Sequence, residues 1–416
     1  MFPPGAPPWI ETLRQLWSPM IWVFVASLLL SLLTTPLFRW IALRRGICDR
    51  PDLAVKIHTR PIPYLGGCAI WLAWTLPLAF YLCWCEPQKT STAVALLAGG
   101  VVAFLTGLMD DLTDLRPWLK LLGQASAGVI LLAGGVYWFA YPYLGWLPAL
   151  NFPPDAWFVW VFCIAMHFLV VIGATNATNL LDGLDGLCSG VSAIVSVGFL
   201  LLATSLTAWA RPEWFERAVH YEHTRLIMVV AFALAGAAIG FLPYNFKPAR
   251  IFMGDAGSVF IGYVLAAMMI MFSSRRISRA GQDLFGNPKW FVGALFIFGL
   301  PIFDTGLALL RRILNRRPIM MPDRSHFYNQ LVDRLGLSVL GTVGLLYTIS
   351  LLFAAVGLLV LYIRGRYATA LYAGAGLVFL IAAWRLGFLR MTPEEKDAAD
   401  RYLERKRGIP PPKGPC

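Results

Sequence analysis

Residues 157–208 read WFVWVFCIAMHFLVVIGATNATNLLDGLDGLCSGVSAIVSVGFLLLATSLTA, and this stretch indicates the fold class. Two apolar segments, at 157–175 and 187–208, flank a short loop that carries Asp182 and Asp185. Each segment is close to the roughly 20 residues that an apolar helix needs to cross the hydrocarbon of a bilayer. The stretch therefore predicts two transmembrane helices joined by an acidic loop.

The same alternation of apolar segments and short loops runs along the whole chain. It has 416 residues, 58% hydrophobic and 14% charged, whereas ordinary soluble domains are about 25% charged. A transmembrane β-barrel would instead show alternating segments of about 10 residues. We therefore predict an all-α, polytopic integral membrane protein with about eleven transmembrane helices. These are expected near 20–43, 65–85, 91–109, 119–140, 157–175, 187–208, 226–244, 256–273, 290–310, 338–362 and 367–386.

The distribution of basic residues predicts the orientation of the chain. The net charge of +12 would by itself also suit a nucleic-acid-binding protein. However, about two thirds of the Lys and Arg residues lie in alternate loops and in the tail, and basic loops face the cytoplasm. We therefore predict an outside N-terminus, a cytoplasmic C-terminus and contact with membrane lipids rather than nucleic acid. The expected parts are a short segment at 1–19, a transmembrane domain at 20–386 and a basic tail at 387–416.

Most of the uncommon polar residues lie in the same alternate loops, on the predicted cytoplasmic side. Acidic residues near a bilayer are expensive and usually mark a functional site. Because the motifs share one face, we predict that they form one active site. The motifs are Lys56–Gly67, Asp110–Asp114, Asn176–Gly186, Phe252–Ser258 and Asp323–His326.

The acidic motifs predict a site for a divalent cation and phosphate. Asp110, Asp111 and Asp114 repel one another and need a compensating cation or water, and Mg²⁺ prefers such hard oxygen ligands. The simpler alternative is a solvated helix end. Asp255 follows Gly254 at a helix start, where a phosphate binds well, although it could serve only as an N-cap.

The asparagine and aspartate motif has a regular spacing. Asn179, Asp182 and Asp185 are three residues apart, so they share one face if the segment is helical. Alternatively, the motif is a turn that only links two spans. Asp304, inside the ninth predicted span, is either a packing residue or a support for the site, and His167 is assigned to structure.

Taken together, these motifs resemble the polyprenyl-phosphate N-acetylhexosamine-1-phosphate transferase family. The resemblance covers roughly residues 20–385 and implies ten or eleven transmembrane helices in the bacterial inner membrane, with a cytoplasmic active site and a lipid groove. It implies that Asp110 and Asp111, with Asp114, are catalytic, and that Asp255 is the main Mg²⁺ ligand, with Mn²⁺ as an alternative ion.

The resemblance also implies the substrate-binding residues. Asn179, Asp182 and Asp185 would contact the nucleotide sugar, and the two aspartates would also contact the metal. The basic residues of this set would contact the nucleotide or the diphosphate. They are Lys56, His58, Lys120, Arg324 and His326.

The resemblance further implies a reaction. A polyprenyl phosphate, expected to be undecaprenyl phosphate, attacks a UDP-N-acetylhexosamine and releases UMP, by direct displacement or through an aspartyl intermediate. The segment from Pro301 to His326 is closest to the N-acetylglucosamine-1-phosphate branch, but Phe327-Tyr328-Asn329 follows where that branch has two further histidines. The alternatives are the lipid I-forming transferase and, in another class, a sugar-phosphate transporter. With either transferase activity, the protein could assemble as a homodimer.

Cysteine labelling tests the predicted orientation. In a background cleared of accessible thiols, we expect single cysteines at positions 112, 184 and 324 to react with a membrane-impermeant maleimide only after permeabilisation, because their loops face the cytoplasm. A cysteine at position 214 should react in intact cells. Reaction of position 324 in intact cells would contradict the prediction of one shared face.

Overall fold

A computed structural model describes residues 14, 16–49, 61–85, 91–137, 157–209, 219–273, 276–277, 283–284, 288–317, 326–363 and 365–389. These residues form helices with two short antiparallel strand pairs, β1–β2 and β3–β4. The strands are β1 (Cys48–Asp49), β2 (Ile62–Pro63), β3 (Arg276–Ile277) and β4 (Asp283–Leu284). The helices are α1 (Ile21–Arg45), α2 (Gly66–Trp84), α3 (Ser91–Thr113), α4 (Pro117–Ala133), α5 (Trp157–Leu181), α6 (Leu187–Trp209), α7 (Val219–Asn245), α8 (Gly254–Ser273), α9 (Pro288–Ile297), α10 (Gly299–Leu314), α11 (Phe327–Asp333), α12 (Val339–Leu359) and α13 (Gly365–Arg385).

The protein is an all-α, polytopic membrane protein. Within the described ranges, eight helices are long and apolar enough to cross a bilayer. The helices α9 and α10 together add a ninth span that is bent by 71° at its break. Each predicted span coincides with a helix, but α4 and α13 are not among these nine spans: α4 has 17 residues, and the described apolar part of α13 is the stretch Ala370–Arg385. The count of eleven and the positions of the termini therefore stay predictions, as do the proposed domain boundaries.

The centre of the fold is α8. Every residue from Ala256 to Ser273 is buried. A helix that is apolar on all sides is stable only when protein or lipid surrounds it, and α3 and α5 pack directly against this one. The peripheral helices instead expose large apolar side chains such as Leu33 and Trp157, which are 73% and 76% exposed. Those outer faces are suited to contact with lipid.

Small residues allow the helices that carry the motifs to approach α8 closely. A Cβ on Gly107 of α3 would collide with the backbone carbonyl of Asp255, and one on Gly67 of α2 would collide with the backbone of Gly257. Close approach at glycines is a common way of packing transmembrane helices. It brings the C-terminal end of α3 and the N-terminal end of α8 into direct contact.

His167 has a structural environment, as the sequence predicted. Its ring is buried in α5, and Nε2 lies 2.9 Å from the carbonyl oxygen of Gly128 on α4. The contact joins two neighbouring helices far along α5 from the acidic loop. His167 therefore has no part in the pocket described next.

Candidate active site

An open pocket of about 980 Å³ lies where the ends of α3, α5 and α8 meet. Its described wall includes seven aspartates but a single lysine, Lys247. The aspartates come from distant parts of the chain, as the prediction of one shared site requires. They are Asp49, Asp110, Asp111, Asp114, Asp182, Asp185 and Asp255.

Asp111 caps the central helix. Its Oδ1 accepts a hydrogen bond from the backbone N–H of Asp255 at 2.8 Å, and its Oδ2 accepts one from Ala256 at 2.9 Å. The first N–H groups of a helix lack partners within the helix, and a carboxylate satisfies them well. The N-cap alternative for Asp255 is therefore wrong, because a residue from α3 performs the capping and leaves the Asp255 side chain free for other contacts.

Lys120 connects two of the carboxylates. Its ammonium Nζ lies 2.8 Å from Oδ2 of Asp110 and also contacts Oδ2 of Asp255. It lies 3.3 Å from Oδ1 of Asn179, whose Nδ2 donates to Oδ1 of Asp255 at 2.7 Å. Four predicted residues from four helices thus form one network. Its centre is a place where a positive charge is held by two carboxylates and an amide oxygen.

Asp110 also fixes the end of α3. Its Oδ1 accepts a hydrogen bond from the backbone N–H of Leu115 at 2.8 Å. Asp114, the third acid of the motif, lies in this turn with a positive φ of 53° and is exposed at the pocket wall. Asp114 therefore belongs to the pocket but not to the network around Lys120.

Asp182 faces the network without a basic partner among the described residues. Burial raises the pKa of its carboxyl well above the usual value, and the nearby charges of Asp255, Asp111 and Asp185 raise it further. A carboxyl in this position readily takes up a proton or a cation. This environment distinguishes Asp182 from Asp110, which already has Lys120 as a partner.

Asp185 lines the same pocket but has partners of its own. The helix α5 ends at Leu181, so the helical face predicted for Asn179, Asp182 and Asp185 does not extend through the motif. The Oδ2 of Asp185 accepts from the backbone N–H of Ala249 at 3.1 Å and lies 3.8 Å from Nζ of Lys247. Its contacts hold the segment that leads to α8.

The basic residues predicted for the diphosphate are only partly described. Lys56, His58 and Arg324 lie outside the described residues. His326 lies just before α11, and its Nδ1 is 3.1 Å from Oδ2 of Asp304 on α10. Asp304 therefore contacts a predicted site residue, which favours the supporting role over simple packing.

Sequence reasoning missed three residues that hold the acidic loop. Tyr328 donates to the carbonyl of Leu180 at 3.0 Å, and Tyr347 donates to that of Gly186 at 2.6 Å. Asn245 accepts from the N–H of Gly186 at 3.2 Å and donates to the carbonyl of Ile251 at 3.2 Å. In the sequence, only the glycines of the loop indicated that other residues pack closely against it. A Cβ on Gly183, for example, would collide with the Tyr328 hydroxyl.

A ready-made metal site is absent from the part of the chain that the structure describes: no three acidic, histidine or cysteine side chains converge there closely enough to hold an ion. The reason is visible in the network, where the ammonium of Lys120 lies between Asp110 and Asp255. The oxygen-rich wall still has the donor type that Mg²⁺ takes.

The fold and the pocket define a multi-pass membrane protein with an acidic, cation-holding site at the helix ends. A model described as "Glycosyl transferase family 4" matches residues 93–273, which include Asp110 and Asp255. The chain belongs to this family of glycosyl transferases.

Curated relatives share most of the chain. The Bacillus subtilis "Probable undecaprenyl-phosphate N-acetylglucosaminyl 1-phosphate transferase" is 30% identical over 79% of this chain and 82% of its own. The Mycobacterium tuberculosis "Decaprenyl-phosphate N-acetylglucosaminephosphotransferase" is 30% identical over 75% of each chain. The Cutibacterium acnes "Phospho-N-acetylmuramoyl-pentapeptide-transferase" is 35% identical over 50% of this chain and 63% of its own.

The lack of a basic partner for Asp182 among the described residues predicts a pH-dependent stability. Because its pKa is higher in the folded protein than in the unfolded chain, the metal-free protein should lose stability as the pH rises from about 4 through the raised pKa. Asp182→Asn removes this loss, so its melting temperature in EDTA at neutral pH should exceed that of the wild type by roughly 2 °C. Thermal unfolding in detergent across a pH series measures the difference.

Asp185→Asn is the matched control for this experiment. The same change of charge there removes a carboxylate that has Lys247 and the Ala249 N–H as partners. We therefore expect a lower melting temperature for this variant. An equal effect of the two substitutions would contradict the different environments assigned to Asp182 and Asp185.

Proposed function

We propose that the protein transfers N-acetylglucosamine 1-phosphate from UDP-N-acetylglucosamine to a polyprenyl phosphate, with undecaprenyl phosphate as the expected lipid. The products are a polyprenyl-diphosphate-linked sugar and UMP. The observation that carries the proposal is the network of Lys120 with Asp110, Asp255 and Asn179. It holds a positive charge at the start of the central helix, where Asp110 and Asp255 also line a pocket that is large enough for a nucleotide sugar.

The relatives support the chemical class of both substrates. The Bacillus subtilis and Mycobacterium tuberculosis proteins are named for a polyprenyl phosphate and for N-acetylglucosamine, and this chain aligns with at least three quarters of each. The protein is accordingly a phospho-sugar transferase that uses a polyprenyl phosphate acceptor. The particular UDP-sugar, the lipid length, a bacterial inner-membrane location, a cytoplasmic pocket and a homodimer belong to the proposal.

We further propose that the reaction requires Mg²⁺, with Mn²⁺ as a substitute. The carboxylates of Asp255 and Asp182 fit such an ion, because Asp182 has no basic partner among the described residues and already interacts electrostatically with Asp255. When bound, the ion would neutralise negative charge on the donor diphosphate. The contacts of Asp185 favour a different role, which is to hold the segment at residues 247–249.

The chain's own residues position and neutralise charge. Phosphoryl transfer needs placement and electrostatic stabilisation more than covalent help. Lys120 contacts the acids of the network directly, and a donor phosphate that reaches Asn179 would meet its ammonium. Asp110 and Asn179 hold that ammonium in place, as a pre-organised electrostatic site requires.

The contacts of the paired acids support direct displacement over an aspartyl intermediate. Both oxygens of Asp111 already accept hydrogen bonds from the start of α8, and both oxygens of Asp110 have partners in Leu115 and Lys120. A nucleophile is more effective when its oxygen is free to attack. The acceptor lipid phosphate is itself largely ionised, because the second pKa of a phosphomonoester is near 6.

An activity assay tests the proposal and its metal. Membranes that contain the wild type should convert undecaprenyl phosphate and labelled UDP-N-acetylglucosamine to a lipid product and UMP, with activity lost in EDTA and restored by Mg²⁺ or Mn²⁺. Asp255→Asn should lower the rate by at least about 100-fold, because it removes a charge from the network and the proposed ion. Asp333→Asn, the same change at an exposed carboxylate outside the pocket, is the control and should be unchanged.

The donor panel separates the alternatives. Turnover of UDP-N-acetylmuramoyl-pentapeptide instead of UDP-N-acetylglucosamine would assign the lipid I-forming reaction, which the identity to the Cutibacterium acnes protein keeps open. Uptake of a sugar phosphate without release of UMP would assign a transporter. Undiminished activity in excess chelator would contradict the metal requirement alone.

A further inference from the structure

Asp304 is a buried carboxylate within the broken span formed by α9 and α10. It is 1% exposed. Its Oδ1 accepts a hydrogen bond from the backbone N–H of Phe327 at 2.7 Å, and its Oδ2 lies 3.1 Å from Nδ1 of His326. One carboxylate thus holds both the His326 ring and the start of α11.

This arrangement requires two acceptors on one side chain. The backbone N–H of Phe327 is always a donor, so the oxygen that it contacts is committed to it. The other oxygen accepts from His326 when Nδ1 carries the proton. An asparagine offers one acceptor and one donor, so it could satisfy both partners only if the ring carried its proton on Nε2 instead. A carboxylate therefore selects the ring form that is protonated at Nδ1 and leaves Nε2 unbound within the described residues.

Tyr328 fixes the plane of the same ring. The rings of His326 and Tyr328 are stacked, with centroids 5.5 Å apart and planes 8° apart. The Tyr328 hydroxyl donates to the carbonyl of Leu180, in the last turn of α5 and two residues before Asp182. Tyr328 also lines the pocket. The imidazole is therefore held in position and in plane by two residues, next to the loop that carries Asp182.

A structural cap alone does not account for a carboxylate at this place. A buried charge inside a membrane protein is costly, and such residues usually serve a functional site. The single backbone N–H of Phe327 would be satisfied equally well by a neutral oxygen, at a lower desolvation cost. The feature that needs the carboxylate is the imidazole.

We propose that Asp304 is a positioning residue for the transfer reaction: it holds His326 with Nδ1 protonated, so that Nε2 is presented to the diphosphate of the donor. This inference rests on the proposed function for the identity of the donor. It does not depend on the metal. Tyr328 contributes by fixing the plane of the ring.

A double-mutant cycle tests whether Asp304 acts through His326. We expect Asp304→Asn and His326→Gln each to lower kcat for UDP-N-acetylglucosamine by about 10- to 100-fold, with less than about a threefold change in KM. In the His326→Gln background, Asp304→Asn should have less than about a twofold further effect, because the two residues act as one unit. Asp304→Glu, which keeps the carboxylate, should recover part of the loss.

His167→Gln is the matched control. It removes the second buried imidazole among the described residues, which contacts the carbonyl of Gly128 away from the pocket. Any loss that it causes should follow the amount of folded protein, with kcat per folded molecule unchanged. If Asp304→Asn lowers kcat by the same factor in the His326→Gln background as in the wild type, the two residues act independently. The role of Asp304 is then structural, and the inference is overturned.

A spectroscopic measurement decides the same point without turnover. The chain has five histidines, so the His326 resonances of ¹⁵N-histidine-labelled protein can be assigned by their loss in His326→Gln. At a pH where imidazole is neutral, we expect the Nδ1-protonated form in the wild type and a shift toward the Nε2-protonated form in Asp304→Asn. An Nε2-protonated wild type would overturn the inference. A wild type with the expected spectrum but no turnover of any UDP-sugar would instead contradict the proposed function.

Discussion

The ammonium of Lys120, held between the carboxylates of Asp110 and Asp255, is the interaction on which the rest of the site depends. Carboxylates that are partly removed from water repel one another strongly unless a cation lies among them. Lys120 supplies that cation from α4, while the acids come from α3 and α8. The pair of contacts therefore ties three helices together at the end where the motifs meet, and it sets the position of Asn179 on a fourth.

The site also requires that α3 and α8 approach each other closely. Asp111 can cap α8 only because Gly107, one turn earlier on α3, lies against the backbone carbonyl of Asp255 without a side chain between them. Larger residues at this contact would separate α3 from α8 and remove the cap. The same cap directs the Asp255 side chain toward Lys120 instead of toward its own helix. Packing inside the membrane and electrostatics at its surface are thus coupled through one helix start.

Much of this architecture could be predicted from the sequence, because its causes are local. Apolar length predicts the helices, and the alternation of loops predicts that Asp110, Asp182 and Asp255 share a pocket. The break between α9 and α10 could not be predicted, since the hydropathy of 290–310 is continuous across Phe298. The predicted span at 119–140 likewise extends beyond the end of α4 at Ala133, because the apolar sequence continues past that residue.

The contacts of individual side chains could not be predicted from the sequence either. Spacing alone grouped Asp185 with Asp182, but the end of α5 at Leu181 turns them toward different neighbours. The roles of Tyr328 and Asp304 depend on contacts between residues far apart in the chain, and no periodicity encodes those.

The most direct test of the account is the effect of Mg²⁺ on the stability of Lys120→Met. If Lys120 neutralises the acids in the metal-free protein, the variant should melt at a lower temperature than the wild type in EDTA, because its carboxylates are left unpaired. Saturating Mg²⁺ should then raise its melting temperature by more than it raises that of the wild type, since binding to the folded state alone stabilises it. An equal shift in both proteins, or no shift in either, would contradict the claim that these carboxylates form one cation site.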